Sequence, residues 1–328
     1  MKNDDGGASF VIKRPVGEML RNNGGTSGHD MSRAMGLKIA GALILLVFLA
    51  PLLRQPVFAQ EDPSGMWTPN FDEDWEERIP GPEIGDYLGL PINAAARLRG
   101  DSWDATLIEL PENQCREHGA DYGWRGPSVL HIWKEMDVKS QKVIAFRTHL
   151  SAYGAEQTIW MDDRPEPPPY AAHTWEGFSK GHWDGDTLVV ETTHLKENWV
   201  RRNGIPRSDV GTTTAHLMRH GDYLTVAVIT YDPVYLTEPF IRTTDFSYST
   251  QAQMAPWPCE PVDEVDRPAG VVPAHLPGKN TFLQEFPANY GLPEAAARGG
   301  AETMYPEYQQ KMKGMKLLPR PAKRAVNR

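Results

Sequence analysis

The sequence predicts a mainly β protein: an antiparallel β-barrel or sandwich with irregular and partly helical N- and C-terminal extensions. Between about residues 129 and 248, short segments rich in β-branched and aromatic residues follow one another, divided by turn residues. Asp184-Gly185 and Gly221-Asp222 mark two tight hairpins. Successive strands without helices between them favour an antiparallel meander that closes into a barrel or a sandwich.

The 328 residues divide into four parts. They are a signal region (1–59), an irregular arm with a short helix (60–128), the antiparallel β-barrel core (129–262) and a C-terminal extension with a basic tail (263–328). The arm helix is predicted in LPINAAARLRGDSWD, with Pro91 in its first turn. NTFLQEFPANYG and AETMYPEYQQKMKGMK in the extension carry weaker helix signals. The proline-rich stretch DRPEPPPYAAHTWEGFSKG is expected to be a loop that caps one barrel end.

The N-terminal segment predicts export. Arg33 belongs to a short basic region before the apolar run Ile39–Leu53, and small residues precede a cleavage site after Ala59. The run has 15 residues, fewer than the roughly 18–20 of a membrane span. We expect a cleaved signal, a periplasmic or secreted protein, and membrane contact only through this segment. An uncleaved anchor is the alternative, and Met31 is a second candidate for the start of the chain.

The cysteines of the chain are Cys115 and Cys259, both in the exported part. An even number of cysteines in an oxidising compartment predicts a disulfide. In the entropy model, closing a loop of about 145 residues restricts the unfolded chain by up to roughly 4–5 kcal/mol. A catalytic thiol is the alternative, since His118 is close to Cys115 in sequence, but sequence proximity does not orient a base.

The charge of the exported part argues against nucleic acid as a partner. Residues 60–328 contain 27 Lys and Arg against 39 Asp and Glu, a net charge of −12. The last 18 residues are the exception, with no acidic residue and with Lys311, Lys313, Lys316, Arg320, Lys323, Arg324 and Arg328. This basic tail is either a solvated terminus or an arm for a partner.

Residues 177–181 match Gly-x-Ser-x-Gly, the nucleophile-elbow pattern of serine hydrolases. An elbow needs a helix after Ser179, whereas an Asp-Gly turn and a strand follow here. We therefore interpret the stretch as the entry into a strand. Asp184 and Asp186 could begin a calcium loop, but the further oxygen ligands at the required spacing are missing, and an Asp-Gly turn explains both.

Histidine is the better candidate for chemistry, because eight of the ten His fall between residues 118 and 220. The candidate site consists of His149, His173, His194, His216 and His220. A barrel could gather several of them at one rim, where neutral imidazoles suit zinc, iron or copper, or acid–base catalysis. The alternative is that amphipathic His occupies half-wet strand ends. No established metal-binding spacing is present, so we assign no metal.

Tryptophan suggests a ligand cavity. The candidates for lining it are Trp133, Trp160, Trp175 and Trp183, which lie in or beside predicted strands, as does Trp199. In a small barrel such side chains either fill the core or surround one apolar ligand. The sequence identifies no cofactor and does not determine an oligomeric state.

Long stretches resemble a large group of secreted bacterial proteins without assigned activity. In that group a Gly-x-Trp-x-Gly-Asp-x-Leu strand precedes a long loop and an Asp-Tyr-Leu hairpin, as in GHWDGDTLVVETTHLKENWV and RHGDYLTVAVITYD here. QCREHGADYG and RGGAETMYPEY are similar to the same group, so the resemblance covers most of residues 60–310. GHWDGDTLVVET is also similar to lipocalin-like (calycin-like) barrels, which implies a fold and no function. The family implies no reaction, cofactor or catalytic residue.

The leading functional prediction is an exported protein that binds a small, partly apolar molecule inside the β-barrel. The first alternative is a periplasmic enzyme with a His-based site, with or without a metal. The second is an envelope scaffold or interaction protein that uses its acidic face and basic tail. Whether the protein is an enzyme is left open by the sequence.

Overall fold

A computed structural model describes residues 61–70 and 81–320, except for residues 118, 122, 152–153, 255, 257, 263–265 and 269. The predicted signal region and the last eight residues of the basic tail lie outside the described residues. Among the helices within these ranges, none is long and apolar enough to cross a membrane.

In the described part of the chain, nine strands form a closed barrel and two more form a separate hairpin. The barrel strands are β1 Gly65–Pro69, β2 Leu130–Met136, β3 Val143–Leu150, β4 Ala155–Trp160, β5 Phe178–Asp184, β6 Thr187–Thr193, β9 Thr212–His220, β10 Tyr223–Tyr231 and β11 Phe240–Tyr248. The hairpin is β7 Asn198–Arg201 with β8 Ile205–Arg207. Around the barrel the order is β1-β11-β10-β9-β6-β5-β4-β3-β2, with β1 bonded to β11 and β2. The predicted β-barrel is confirmed.

Both predicted hairpin turns are present. Asp184 pairs with Thr187 across the turn between β5 and β6, and Gly185 adopts φ 63°. His220 pairs with Tyr223 across the turn between β9 and β10. These turns fix the register in which alternate residues of each strand face the lumen.

Two features of the barrel differ from the sequence prediction. The sequence places Gly65–Pro69 in the irregular arm, yet these residues form the strand β1 that closes the barrel, so the core begins before residue 129. The meander was predicted to be antiparallel throughout, but β4 and β5 pair parallel, with Ile159 opposite Ser179. The long connection between them allows this pairing, because it carries the chain back before β5 begins.

The lumen of the barrel is packed with apolar side chains. They come from alternate positions of the strands and from the arm, and include Trp67, Trp124, Ile132, Phe146 and Leu217, all at most 3% exposed. A cavity of about 20 Å³ beside Trp124 is what remains of the space there. Since one water needs roughly 10–15 Å³ on this measure, this cavity has room for about one water.

The arm also contributes α1 Ala94–Asp101, which packs against β8. Asn93 caps α1, because its Oδ1 accepts hydrogen bonds from the backbone N–H of Ala95 and Ala96 at 2.9 and 3.0 Å. The predicted helix is thus confirmed, but Pro91 precedes the cap instead of lying in the first turn. Tyr87 and the arm residues around α1 form a second apolar cluster with Ile205 of β8.

Short helices complete the arm and the C-terminal extension. They are the 3₁₀ turns Ala105–Glu109, Gly123–Arg125, Thr281–Gln284 and Ala301–Met304, with α2 Pro111–Gln114, α3 Glu285–Tyr290, α4 Glu294–Ala297 and α5 Pro306–Met312. Both weak helix signals of the extension therefore correspond to helical segments. Of the basic tail, Lys311, Lys313, Lys316 and Arg320 lie among the described residues, and all four are exposed.

Candidate ligand-binding cavity

A cavity of about 440 Å³ lies outside the barrel, between the arm, the β7 strand and the segment after β11. Its apolar walls are Trp103, Ile108, Trp199 and Val262. Trp103 and Trp199 meet edge to face, with ring centroids 4.8 Å apart at 78°. Gly204 allows this corner, since a Cβ there would stand 2.6 Å from the Cβ of Trp103 and its φ is 90°. The two indoles thus form a fixed aromatic corner.

Arg116 supplies a planar cation at the side of the cavity. Its guanidinium carbon lies 4.1 Å from the ring centroid of Trp175 and 4.5 Å from that of Trp199. One terminal nitrogen donates to the Glu197 carbonyl at 2.9 Å and to Asn198 Oδ1 at 3.0 Å. Burial lowers the pKa of Arg116, and Glu197 partly opposes this effect. The guanidinium is therefore positioned by stacking and hydrogen bonds and is incompletely solvated.

The remaining charged lining consists of Glu109, Glu117, Glu260 and Arg202. Together with Arg116, the cavity contains three acidic and two basic side chains. Glu109 is engaged by Arg267, at 3.2 Å. The cavity therefore offers groups of both signs next to the aromatic corner, and a ligand with an apolar body and a polar or charged end would match it.

The outer wall of the cavity is tied to the arm by covalent and hydrogen bonds. Cys115 and Cys259 form the predicted disulfide, with Cα atoms 5.6 Å apart, and Cys259 lines the cavity. Gln114 joins the same two segments by hydrogen bonds. Its Nε2 donates to the Val262 carbonyl at 2.6 Å, and its Oε1 accepts from the Val262 N–H at 2.7 Å. The disulfide therefore shapes the cavity as well as restricting the unfolded chain.

The four Trp candidates do not line one cavity. Trp133 and Trp160 point outward from the barrel, next to the inward-facing Ile132 and Ile159. Trp183 packs on the lumen side, 6.3 Å from Phe146 between ring centroids. Trp175 stacks on Arg116 beside the external cavity.

The sequence does not identify the residues that form the cavity, apart from Trp199, which it places in or beside a predicted strand. Trp103 and Arg116 belong to the arm, where the sequence shows no period that would place them on one surface. The available signal was the predicted disulfide, because it brings Arg116, the residue after Cys115, close to residue 259.

The structure brings two of the five His candidates together. The rings of His173 and His194 have centroids 5.4 Å apart. Each is engaged with backbone: His173 Nδ1 lies 3.0 Å from the Leu195 carbonyl, and His194 Nε2 lies 3.0 Å from the Pro168 carbonyl. Because a carbonyl only accepts, both nitrogens carry the proton. These contacts fix the proline-rich connection against the end of β6.

The other three His are separated from this pair and from each other. His149 lies on the outer face of β3, opposite His131, with its Nδ1 2.9 Å from Glu156 Oε1. His216 is on β9, four strand positions away and about 19 Å along the sheet, and His220 is at the exposed end of β9. The five His therefore do not share one site. Among the described residues, no group of three or more His, Cys, Asp or Glu is arranged to hold a metal ion.

Ser179 lies inside the barrel and is 1% exposed. Its Oγ accepts a hydrogen bond from Gln157 Nε2 at 2.8 Å and lies 2.9 Å from Thr192 Oγ1. It stands on β5, without the strand-turn-helix setting of a nucleophile elbow. Its role in the structure is to satisfy buried polar groups in the lumen.

Comparison of the chain with protein-family models, with curated proteins and with solved structures finds no match. The class of protein that the fold and cavity define is thus a closed β-barrel with a disulfide-linked arm and an external cavity. Membership of the secreted bacterial group stays a prediction.

Proposed function

We propose that this protein is exported and binds a small, partly apolar molecule in the external cavity. The supporting observation is the aromatic corner of Trp103 and Trp199 in a cavity of about 440 Å³, within the roughly 300–1,000 Å³ of small-molecule sites. The lumen was the predicted location, but its packing leaves about 20 Å³ beside Trp124. We therefore propose the external cavity, and not the lumen, as the ligand site.

Export is supported by the disulfide and by the charge of the chain. Cys115 and Cys259 are joined, which is compatible with an oxidising compartment such as the periplasm or the exterior. A net charge of −12 over residues 60–328 suits a soluble exported protein and opposes binding to polyanions.

The alternative function, a His-based enzyme, has less support from the structure than ligand binding. The His149–Glu156 pair is a candidate acid–base couple, but it lies on the outer face of the barrel, and the Glu156 side chain is 64% exposed. Water-exposed pairs lack the low dielectric surroundings that strengthen catalytic electrostatics. Ligand binding is therefore the better supported function.

The proposal is tested by a variant that fills the cavity and leaves the other side chains lining it unchanged. The probe is anilinonaphthalene sulfonate, which has a fused aromatic body and one anionic group, and its fluorescence is followed during titration of the protein purified after export. Ile108→Trp would fill the cavity from a side chain that is 40% exposed. We expect saturable binding at one site, weakened at least about tenfold by Ile108→Trp, since the added indole occupies the ligand volume.

The matched control is Ile241→Trp, on the outer face of β11, where Ile241 is 60% exposed. This variant should bind the probe as the unmodified protein does. Equal weakening in both variants, or no saturable binding at all, would contradict the proposal. Compounds that displace the probe from the unmodified protein would then identify the natural ligand class.

A further inference from the structure

The connection between β4 and β5 contains the run RPEPPPY, residues 164–170. Proline fixes its own φ near −65° and restricts the preceding residue to extended conformations. Arg164, Glu166, Pro167 and Pro168 each precede a proline. The backbone chemistry therefore favours a left-handed polyproline II helix, and the run has neither helix nor strand hydrogen bonding up to Pro168.

The N-terminal end of this run is fixed to the barrel. The Arg164 guanidinium lies over the Trp160 ring, 3.1 Å from its centroid. Its Nε and one terminal nitrogen donate to the two carboxylate oxygens of Asp162 at 2.6 and 2.8 Å. Because the fork of Arg164 is held by stacking and by both oxygens, the run leaves β4 in one direction.

The C-terminal end of the run is fixed as well. The Pro168 carbonyl accepts from the Ala171 N–H at 2.8 Å and from His194 Nε2 at 3.0 Å. Thr174 then forms a parallel bridge with Leu195. The hydrogen bond from Ala171 closes a turn over Pro169 and Tyr170, so the extended part of the run ends at Pro168. The run is thus held at both ends before any partner arrives.

The run carries its side chains into solvent. Tyr170 is 89% exposed, and Pro165, Glu166, Pro168 and Pro169 are exposed beside it. A tyrosine of this kind can bury about 150–250 Å² of surface in a contact. Here that surface is displayed in the turn that ends the proline run.

We infer that RPEPPPY is a docking segment for a protein partner whose groove is lined with aromatic side chains. Such grooves receive polyproline II segments because little conformational entropy is lost on binding. The two anchors reduce this cost further. Tyr170 would fill a pocket of the groove, and the exposed Glu166 matches a basic residue at its edge.

The test uses a WW domain as the probe, since its groove has this aromatic chemistry. Binding of a fluorescently labelled WW domain is measured by anisotropy against the purified disulfide-bonded protein and against a free peptide of residues 162–173. We expect the protein to bind about three- to tenfold more tightly than the peptide, because the anchors fix the run in advance. Protein that fails to bind while the peptide binds, or failure of both, overturns the inference.

Three variants separate docking from folding. Tyr170→Ala should weaken binding at least about tenfold, because the displayed ring is a main contact. Tyr223→Ala removes another exposed tyrosine, 61% exposed on β10, and should leave binding unchanged. His194→Ala leaves every exposed residue of the run in place but removes one anchor, so its affinity should approach that of the peptide. Equal affinities for all three variants would also overturn the inference.

Discussion

Arg207 and Asp121 form an ion pair inside the protein, with Nε and Oδ2 2.8 Å apart and side chains 0% and 1% exposed. Arg207 also donates to the carbonyls of Ser208 and Lys196, at 2.6 and 2.8 Å. One guanidinium therefore joins the arm to the end of the β7–β8 hairpin. A buried pair of this kind depends on both partners, because each charge has lost its water.

We predict that Asp121→Ala lowers the free energy of unfolding by about 3–5 kcal/mol, since Arg207 would remain charged and buried without its carboxylate. The double variant Asp121→Leu with Arg207→Met should cost less than the single one, because no charge is left inside. Urea denaturation of the three proteins measures the differences.

The exposed pair Glu135–Arg147 is the control for this prediction, with both side chains 40% exposed and Nε and Oε2 2.9 Å apart. Glu135→Ala should cost at most about 1 kcal/mol, because water screens and replaces the contact. A loss for Asp121→Ala no larger than that for Glu135→Ala would show that the buried pair is unimportant.

Glu176 is a half-buried carboxylate whose removal should stabilise the protein at neutral pH. Burial raises the pKa of Glu176 above 4.5, and repulsion from Glu117 and Glu156 adds to the effect. The charged carboxylate therefore destabilises the folded state at pH 7. This effect disappears as pH falls toward 4.5 and Glu176 becomes protonated. Glu176→Gln should raise Tm by up to about 2 °C at pH 7, and the gain should vanish near pH 4.

Asp137 provides a control of opposite sign. Its pKa is lowered because its carboxylate accepts hydrogen bonds from Ser140 and Lys139 in the turn between β2 and β3. Its stabilising effect is present above 3.8 and is lost as pH falls through the lowered pKa. Asp137→Asn should therefore lower Tm at pH 7. The interpretation of Glu176 fails if Glu176→Gln also lowers Tm at pH 7, or if its gain persists at pH 4.

The disulfide should contribute strongly to stability. Replacing Cys115 and Cys259 by Ser releases a loop with a sequence separation of 144 residues. We expect Tm to fall by about 5–15 °C, which corresponds to roughly 2–4 kcal/mol for a chain of this size. Calorimetry with and without a dithiol reductant measures it. Reductant should lower Tm of the unmodified protein and leave the double variant unchanged; a reductant effect on the double variant would point to another cause.

The barrel could be predicted because its signals are local. Apolar residues alternate in a stretch such as Leu224–Thr230, and this places every second side chain inward. The dipeptide Asp184-Gly185 by itself favours the tight turn between β5 and β6. β1 could not be predicted in the same way, because GMWTP has five residues and ends in proline. Its partners are far away in the sequence: the paired residues of β2 lie more than 60 positions later, and those of β11 lie more than 170 positions later.

The cavity is harder to predict from the sequence than β1, for the same reason: its walls come from residues that are far apart in the chain. Its aromatic corner joins Trp103 to Trp199, almost one hundred residues apart, and its outer wall comes from residues 259–262. No periodic pattern encodes such a meeting of three distant segments. The five His illustrate the reverse case: His149, His194 and His220 lie at or beside strand ends, but His216 lies in the middle of β9. The order of strands around the barrel also separates His149 on β3 from His216 on β9.

His194 offers a direct test of the anchored connection. It adopts φ 55°, and its Nε2 is bound to the Pro168 carbonyl. His194→Ala removes this hydrogen bond, so the connection should open more often and chymotrypsin should cleave after Tyr170 about three- to tenfold faster, consistent with a bond worth about 1 kcal/mol. Mass spectrometry of timed digests measures this rate. His220→Ala, at the exposed end of β9, is the control and should leave the rate unchanged. Equal rates for the two variants would mean that Pro168 is held by the Ala171 turn and the Arg164 stack alone.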